Sequence, residues 1–568
     1  MAKFEWLANE LLLELFRYFD GVHLFRAFQN LNSRFNFLLL HYRIYHLDFR
    51  SVSKCEFHII CQQYLPSIIN RVTSLHLSNA DETPNLFELF LSYYFTFNQF
   101  YRLRLLSLNA IHSLSILNQI IFECRQLPYF THLYIIKCDF KDQEKFSCLI
   151  NHIWNLPKLI YCQIDHRFPY ELKFTNNTIV SSSIENLFVE NFNFNLNDLS
   201  KLFRCTPSLR QFDATIMSHS EYERLQIIPS AIISSKLSFR NALHSMIHLF
   251  QNLSNLCHLT IKTQRMYLNG YEWQKIILNY LPKIQVFQLK MDWKFSYTKN
   301  IEEQLNQLLD SFRTSFWLEE HQWFVQCDWF MLGISNFVTL YTLPYAFNDF
   351  SLANKCWSKS TASNDEFYDR VKILTLINIR TNLFTDSFLT SDDFQNIVHL
   401  KLSLPLSNHF WSAIRSFDQL TSLDITLIQG ADYLPLQILL DRSPRLYSLC
   451  FGNFYDIEIV SQLTSRSIHR LDFIKKNTYK KYFNSKQCDV LINSALGRQC
   501  EVLLINVENR INILQLVKNM SNLRSLIVQC KDDQWNGEFI QWLSYHLPST
   551  CSVSRDRHQT SNIRLWIC

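Results

Sequence analysis

One short phrase of apolar and polar positions recurs along the chain: apolar, two variable, apolar, one variable, apolar. It is plain in LPYFTHLYI (127–135), LPKLIYCQI (156–164), TPSLRQFDA (206–214), LSNLCHLTI (253–261) and LPKIQVFQL (281–289). It returns in FDQLTSLDI (417–425), SPRLYSLCF (443–451) and MSNLRSLIV (520–528), with shorter copies beginning at 72, 103, 184, 371, 397 and 468. The last two apolar positions alternate as on a short strand with one buried face, and the first lies three residues earlier, where that strand begins. Between two copies, NLNDLSKLFRCTP (195–207) carries apolar residues at helical spacing and stops at Pro207. Each unit therefore predicts one strand and one helix, and the fold class is α/β.

The starts at 72, 103, 130, 159, 184 and 209, and again at 371, 397, 420, 446 and 468, recur at the interval of repeat architectures. Phrase and interval together resemble leucine-rich repeats, whose asparagine or cysteine after the strand is matched by Asn79, Asn109 and Cys138. That resemblance implies a solenoid, with an irregular α/β domain as the alternative. Two intervals break the rhythm. One, from 209 to 256, contains IIPSAIISSKLSF; the other, from 284 to 371, contains FWLEEHQWFVQCDWFML, with Trp317, Trp323 and Trp329, followed by Trp357. An insertion of this kind either carries binding loops or plugs the apolar edge between two repeat arrays. Within it, WFMLGISNFVTLYTLPYAFN (329–348) carries no charge and has the length of a membrane span. Its Gly333, Ser335, Asn336 and Pro344, with its β-branched and aromatic content, fit short buried strands better.

Composition removes several classes of chemistry. Seven glycines in 568 residues, against a usual ~7%, never lie close enough to form a GxGxxG or GxxxxGK[ST] phosphate loop or a GxSxG elbow. The net charge of +5 comes from 55 basic and 50 acidic residues interspersed along the chain, too mild and too even for a nucleic-acid partner. The richest basic run, KKNTYKK (475–481), reads as a solvated loop. Sixteen cysteines without a CxxC pair lack the paired spacing of a zinc site and read as buried free thiols. MAKFEW leads straight into a helix bearing Glu10 and Glu14, without the apolar core of a signal peptide. A reducing cytosol or nucleus is therefore expected, and the sequons at Asn176, Asn252 and Asn519 are chance matches.

The stretch LANELLLELFRYFDGVHLFRAFQNLNSRF (7–35) is unusually apolar for a segment so near a terminus. Leu7, Leu11, Leu15 and Phe16 share one side of a first helix, with Leu12 and Phe19 on the other and Asp20 and Gly21 at its end. A second helix runs LFRAFQNL, and a third begins near Asn32 and carries Phe35, Leu38 and Leu39. Three helices this short cannot bury so many apolar groups among themselves, so something else must cover them.

This stretch resembles an F-box through Leu7, Ala8, Glu10, Leu11, Leu15, Phe16, Asp20, Leu24, Ala27, Leu31, Asn32, Arg34 and Phe35. It departs from the family at Ala8 (for proline), Asn32 (for cysteine) and Phe35 (for tryptophan). The resemblance implies docking on the Skp-type adaptor of an SCF-type cullin-RING ubiquitin ligase, with the repeats selecting a protein substrate. Carried over, the adaptor contacts are Leu7, Glu10, Leu11, Leu15, Phe16, Leu24, Ala27, Leu31 and Phe35. The expected organisation is an F-box (1–49), a linker (50–71), a first repeat array (72–292), an aromatic-rich insertion (293–370) and a second array (371–568).

Strand positions between the buried ones are the candidate substrate surface: His76, His132, Tyr134, Tyr161, Gln163, Gln211, His258, Lys290 and Lys401, with Asp213, Thr260, Gln288 and Asp424 beside them. Their mixture of aromatic and polar groups of both signs suits a protein partner better than a phosphate backbone. No catalytic constellation, cofactor or metal is expected; Glu319, Glu320 and His321 are the nearest candidates, but adjacent residues do not face one another. The competing reading is a protein-interaction scaffold whose first helices cap the repeats.

Overall fold

Where the apolar phrase recurs, the computed structural model places a strand, and successive strands stand side by side in register. It describes all residues except 1–3, 140–141, 172–178, 218–230, 297–299, 354–355, 363–367, 378–393, 405–416, 428–433, 453–456, 475–480, 534–536 and 557–558. Asn176 and all but the last lysine of the KKNTYKK run lie outside the described residues. The architecture is mixed α/β with parallel sheets, and the chain divides into two units. The first comprises Met1–Ser234, Thr550–His558 and Trp566–Cys568; the second comprises Ser235–Ser549 and Gln559–Leu565.

In the first unit, β1 (Tyr45–Asp48), β2 (Val72–Ser78), β3 (Leu105–Asn109), β4 (His132–Cys138), β5 (Tyr161–Glu171), β6 (Asn186–Phe194) and β7 (Gln211–Met217) lie in chain order. Each is parallel to the next. Their register aligns Leu47, Leu75, Leu106, Leu133, Cys162, Leu187 and Phe212 across the sheet. All seven are buried. The first apolar residue of each phrase, such as Leu103, Phe130, Leu159, Ile184 and Leu209, is buried as well. Helices Leu86–Ser92, Leu114–Cys124, Gln143–Trp154 and Leu196–Cys205 connect successive strands, as parallel pairing requires. Asn79, just past β2, joins strand to helix: its Oδ1 accepts from Phe87 N at 2.8 Å and its Nδ2 donates to Glu88 at 2.9 Å.

Residues 550–554 and Trp566 contact the helix Lys54–Ile59 and Asn85, far earlier in the same unit. Lys54 Nζ donates to the Thr550 carbonyl at 2.6 Å, the Phe57 ring packs on Trp566, and Asn85 hydrogen-bonds Ser554. Cys55 and Cys568 form a disulfide. This corrects the expectation that every cysteine is free. Nothing in local spacing could reveal a pair 513 residues apart; the remaining cysteines are free, most of them buried.

In the second unit, β8 (Ser234–Arg240), β9 (His258–Gln264) and β10 (Val286–Ser296) are neighbours, and the insertion then reverses direction. β12 (Ser335–Thr342) runs antiparallel to β10 and to β11 (Val325–Leu332), and β14 (Trp357–Ser360) antiparallel to β11. The uncharged stretch 329–348 is thus largely strand, turning at Gly333, whose φ of +62° suits glycine. Among the described residues no helix is long and apolar enough to cross a membrane. Parallel pairing resumes through β13 (Asp349–Ala353), β15 (Ile373–Ile377), β16 (His399–Leu404), β17 (Ser422–Leu427), β18 (Ser448–Gly452), β19 (Arg470–Asp472), β20 (Val502–Val507) and β21 (Ser525–Cys530). A second buried column runs Leu374, Leu400, Leu423, Leu449, Leu471, Leu503 and Leu526.

Trp317, Trp323 and Trp329 of the insertion are buried, and Trp357 is half-buried. Trp317 is fully buried and its Nε1 donates to the Gly270 carbonyl at 3.2 Å, while Gly270 N donates to Ser311 Oγ at 2.7 Å. A Cβ at Gly270 would lie 2.2 Å from the Ser311 carbonyl oxygen. Gly270→Ala must separate helix Gly270–Tyr280 from helix Ile301–Ser311. We expect a loss of about 3 kcal/mol, as for other overpacked cores, read as a fall in the denaturant midpoint.

Candidate docking surface

Three short helices open the chain: α1 (Asn9–Phe16), α2 (Gly21–Phe28) and α3 (Ser33–His41). Their limits follow from polar caps. The Asp20 side chain accepts from His23 N and that of Asn32 from Phe35 N, starting α2 and α3 respectively. Asp20 and Gly21 were expected to end the first helix. Instead α1 stops at Phe16, Asp20 caps α2, and Gly21 is its first residue, packed against Leu47. Asn32, one of the departures from the F-box pattern, is thus a helix cap, which a cysteine provides poorly.

The three helices share an aromatic core. Phe28 lies 5.0 Å from Phe16 and 5.4 Å from Phe35 between ring centroids, and Leu12, Leu24, Leu38 and Leu39 are buried around them. Phe25 stacks on Tyr45 of β1 at 5.8 Å and on Tyr64 at 4.7 Å. Arg26 holds Glu56 through two bonds of 2.6 and 2.8 Å. Burial pushes the Glu56 carboxyl up, but Arg26 and Ser53 outweigh it and hold it below its usual range.

The nine residues singled out for adaptor contact separate into two groups. Phe16, Leu24 and Phe35 belong to the core, at 0%, 1% and 1% exposure. Leu7 and Leu15 are half-buried, and Glu10, Leu11, Ala27 and Leu31 are exposed, the two leucines at 54% and 57%. Phe19 and, beyond the positions periodicity singled out, Trp6, Tyr18, Phe37 and Leu40 add exposed apolar surface. Arg34 organises one edge of this surface. Its guanidinium donates to the Glu5 and Leu7 carbonyls at 2.5 Å and to Asn9 Oδ1 at 2.8 Å. Asn32 Nδ2 reaches Glu5 at 3.3 Å. Residues 5–9 are thereby held against the start of α3, beside Leu31. Arg34 belongs to the matched pattern, yet sequence alone assigns it no role, because two of its partners are backbone carbonyls and the third, Asn9, carries no charge.

Among the candidate substrate residues, strand register gathers those of the first unit. His76, Ser107, Tyr134, Gln163, Phe188 and Asp213 form one row, and His132, Tyr161, Asn186 and Gln211 another. These side chains are half-buried, except the more enclosed Ser107. Tyr161 anchors the rows: its ring lies 5.6 Å from His132, 4.9 Å from Tyr134 and 4.9 Å from Phe188. Burial and the Tyr134 phenol raise its pKa, so it stays a neutral hydroxyl. Burial lowers the pKa of His76 and His132, which favours neutral imidazoles.

The other three candidates lie in the second unit. His258 is exposed at the start of β9, and Lys401 is half-buried on β16 beside Asp424. Lys290 is buried inside the unit, its Nζ donating to Tyr345 Oη at 2.7 Å and to Asp349 Oδ2 at 3.2 Å. Burial and the neighbouring Lys262 lower its pKa. Alternation along β10 placed Lys290 on the outer face, but it could not foresee that the chain from 345 to 349 covers that face.

Among the described residues no group of three His, Cys, Asp or Glu side chains could hold a metal ion. Burial pushes thiols such as Cys138 and Cys500 up to about 12, leaving them protonated and weakly nucleophilic at neutral pH. His321 stacks on Trp323 at 4.1 Å. The sequence matches no protein-family model and no curated protein.

The division between core and surface is measurable. Leu12→Ala should cost about 3 kcal/mol, as for a fully buried leucine. Leu11→Ala, on the exposed side of the same turn, should change stability by no more than ~0.5 kcal/mol. Paired thermal or denaturant unfolding curves check both.

Proposed function

We propose that this chain is the substrate-recognition subunit of an SCF-type cullin-RING ubiquitin ligase. On this reading the first 49 residues are an F-box that docks on a Skp-type adaptor, and the strand–helix units form a leucine-rich-repeat solenoid that binds a protein substrate. The observation that carries the proposal is the apolar surface left around Leu11 and Leu31 by helices that already possess a core of their own. Solvent-exposed apolar side chains at that density mark a contact surface, and a few such anchors supply most of an interface's energy, at ~2 kcal/mol or more each. The chain then needs no catalytic group, since ubiquitin transfer belongs to other subunits. The half-buried aromatic and polar rows of β2–β7 suit a protein partner.

A second reading has a specific observation behind it. Phe25 and Gly21 pack on β1, so α2 also shields an edge strand, as a cap would. Co-purification with the adaptor separates the two. Docking predicts that the intact chain binds, and that the double variant Leu11→Ala, Leu31→Ala loses at least tenfold in affinity with an unchanged thermal midpoint. An intact chain that fails to bind, or a double variant that binds as before, leaves only the capping role.

A further inference from the structure

A cleft of ≈ 720 Å³ opens at the amino-terminal edge of β1–β4 and is lined by Arg102, Arg104, His46, His132, Ser74 and Tyr129, among others; none of its lining residues is acidic. Arg102 and Arg104 are exposed on either side of the fully buried Leu103. What distinguishes them is the fate of basic groups at equivalent positions. Immediately before a strand, Arg71 donates to the Ser67 and Tyr42 carbonyls at 2.9 and 3.1 Å, and Arg210 pairs with Glu185 at 3.7 Å. Three residues before a strand, Lys158 reaches back to the Pro128 carbonyl at 2.9 Å. Arg104 lies between the strand-start residues Arg71 and Thr131, neither of which carries negative charge. Among the described residues, neither the Arg102 nor the Arg104 guanidinium has a hydrogen-bond or ion-pair partner.

We propose that this cleft binds a phosphate monoester, with the dianion held between the guanidiniums of Arg102 and Arg104. The planar guanidinium fork matches the geometry of phosphoryl oxygens. Burial lowers the pKa of His46 and His132, so the arginines supply the standing positive charge. The cleft exceeds the size of a phosphate, and the exposed rings of Tyr129 and Tyr101, 6.0 Å apart, form an aromatic rim for the group that carries it. The site goes beyond the adaptor reading and does not depend on it.

Two probes on the full chain test the site: phenyl phosphate against phenol, followed by ligand-observed NMR, and a fluorescent alanine–glycine peptide with and without one phosphoserine, followed by anisotropy. At least one phosphorylated probe should bind about tenfold or more tightly than its uncharged counterpart, because charge-assisted bonds are the strong ones. Arg102→Ala with Arg104→Ala should abolish that preference without moving the thermal midpoint, while Lys158→Ala keeps it. Preference for phenyl phosphate alone identifies a small soluble ester as the source. Preference for the phosphopeptide alone identifies a modified side chain, and preference for both assigns recognition to the phosphoryl group itself. The proposal is overturned if neither phosphorylated probe is preferred, or if the double arginine variant retains the preference.

Discussion

The alignment of one buried side chain per strand is the constraint from which the rest follows. In the first unit the column from Leu47 to Phe212 sits at the same register position of every parallel strand, and the second unit repeats it from Leu374 to Leu526. Because side chains alternate faces, a slip of one residue would turn a leucine into water and a tyrosine or glutamine into the core. Register is therefore held by burial. The outward rows that pass through His76, Tyr134 and Gln163 inherit their alignment from it.

The amino-terminal helices work by another economy. Phe16, Phe28 and Phe35 use their rings internally, which gives three short segments a core despite their length. Arg34 and Asn32 then tie residues 5–9 to α3 through bonds to backbone and side chain. The apolar residues left outside stand on a framework that does not need them for its own packing. In the proposed adaptor contact, Phe35 therefore positions α3 from within, while Leu31 stands at the surface.

Much of this was legible in the chain because it is local. The recurring phrase marked the strands and their buried columns, and the spacing in 195–207 marked a connecting helix. The parts that were not legible depend on partners distant in sequence. Periodicity marked Leu11, Leu15 and Phe16 alike as apolar, yet only tertiary packing decides that Phe16 is enclosed and Leu11 is not. Lys290 alternates as an outward residue and is covered by Tyr345 and Asp349. The strands of 329–348 were legible as short buried strands, but their antiparallel pairing was not, since it depends on β10 and on a turn outside the repeat. Asp20 caps a helix start where the sequence predicts a helix end, because an acidic residue followed by glycine suits either.

The return of residues 550–558 and 566–568 to the first unit has a consequence for biosynthesis. Lys54 and Asn85 wait for Thr550 and Ser554, which leave the ribosome 496 and 469 residues later. Domains are generally completed in the order in which they are made, but this one keeps an open position while the whole second unit is translated. During that interval Phe57 lacks the Trp566 ring that later packs on it. Completion of the first unit is thus set by chain order: Phe57, fully buried in the folded protein, gains its Trp566 contact only after the second unit has been made.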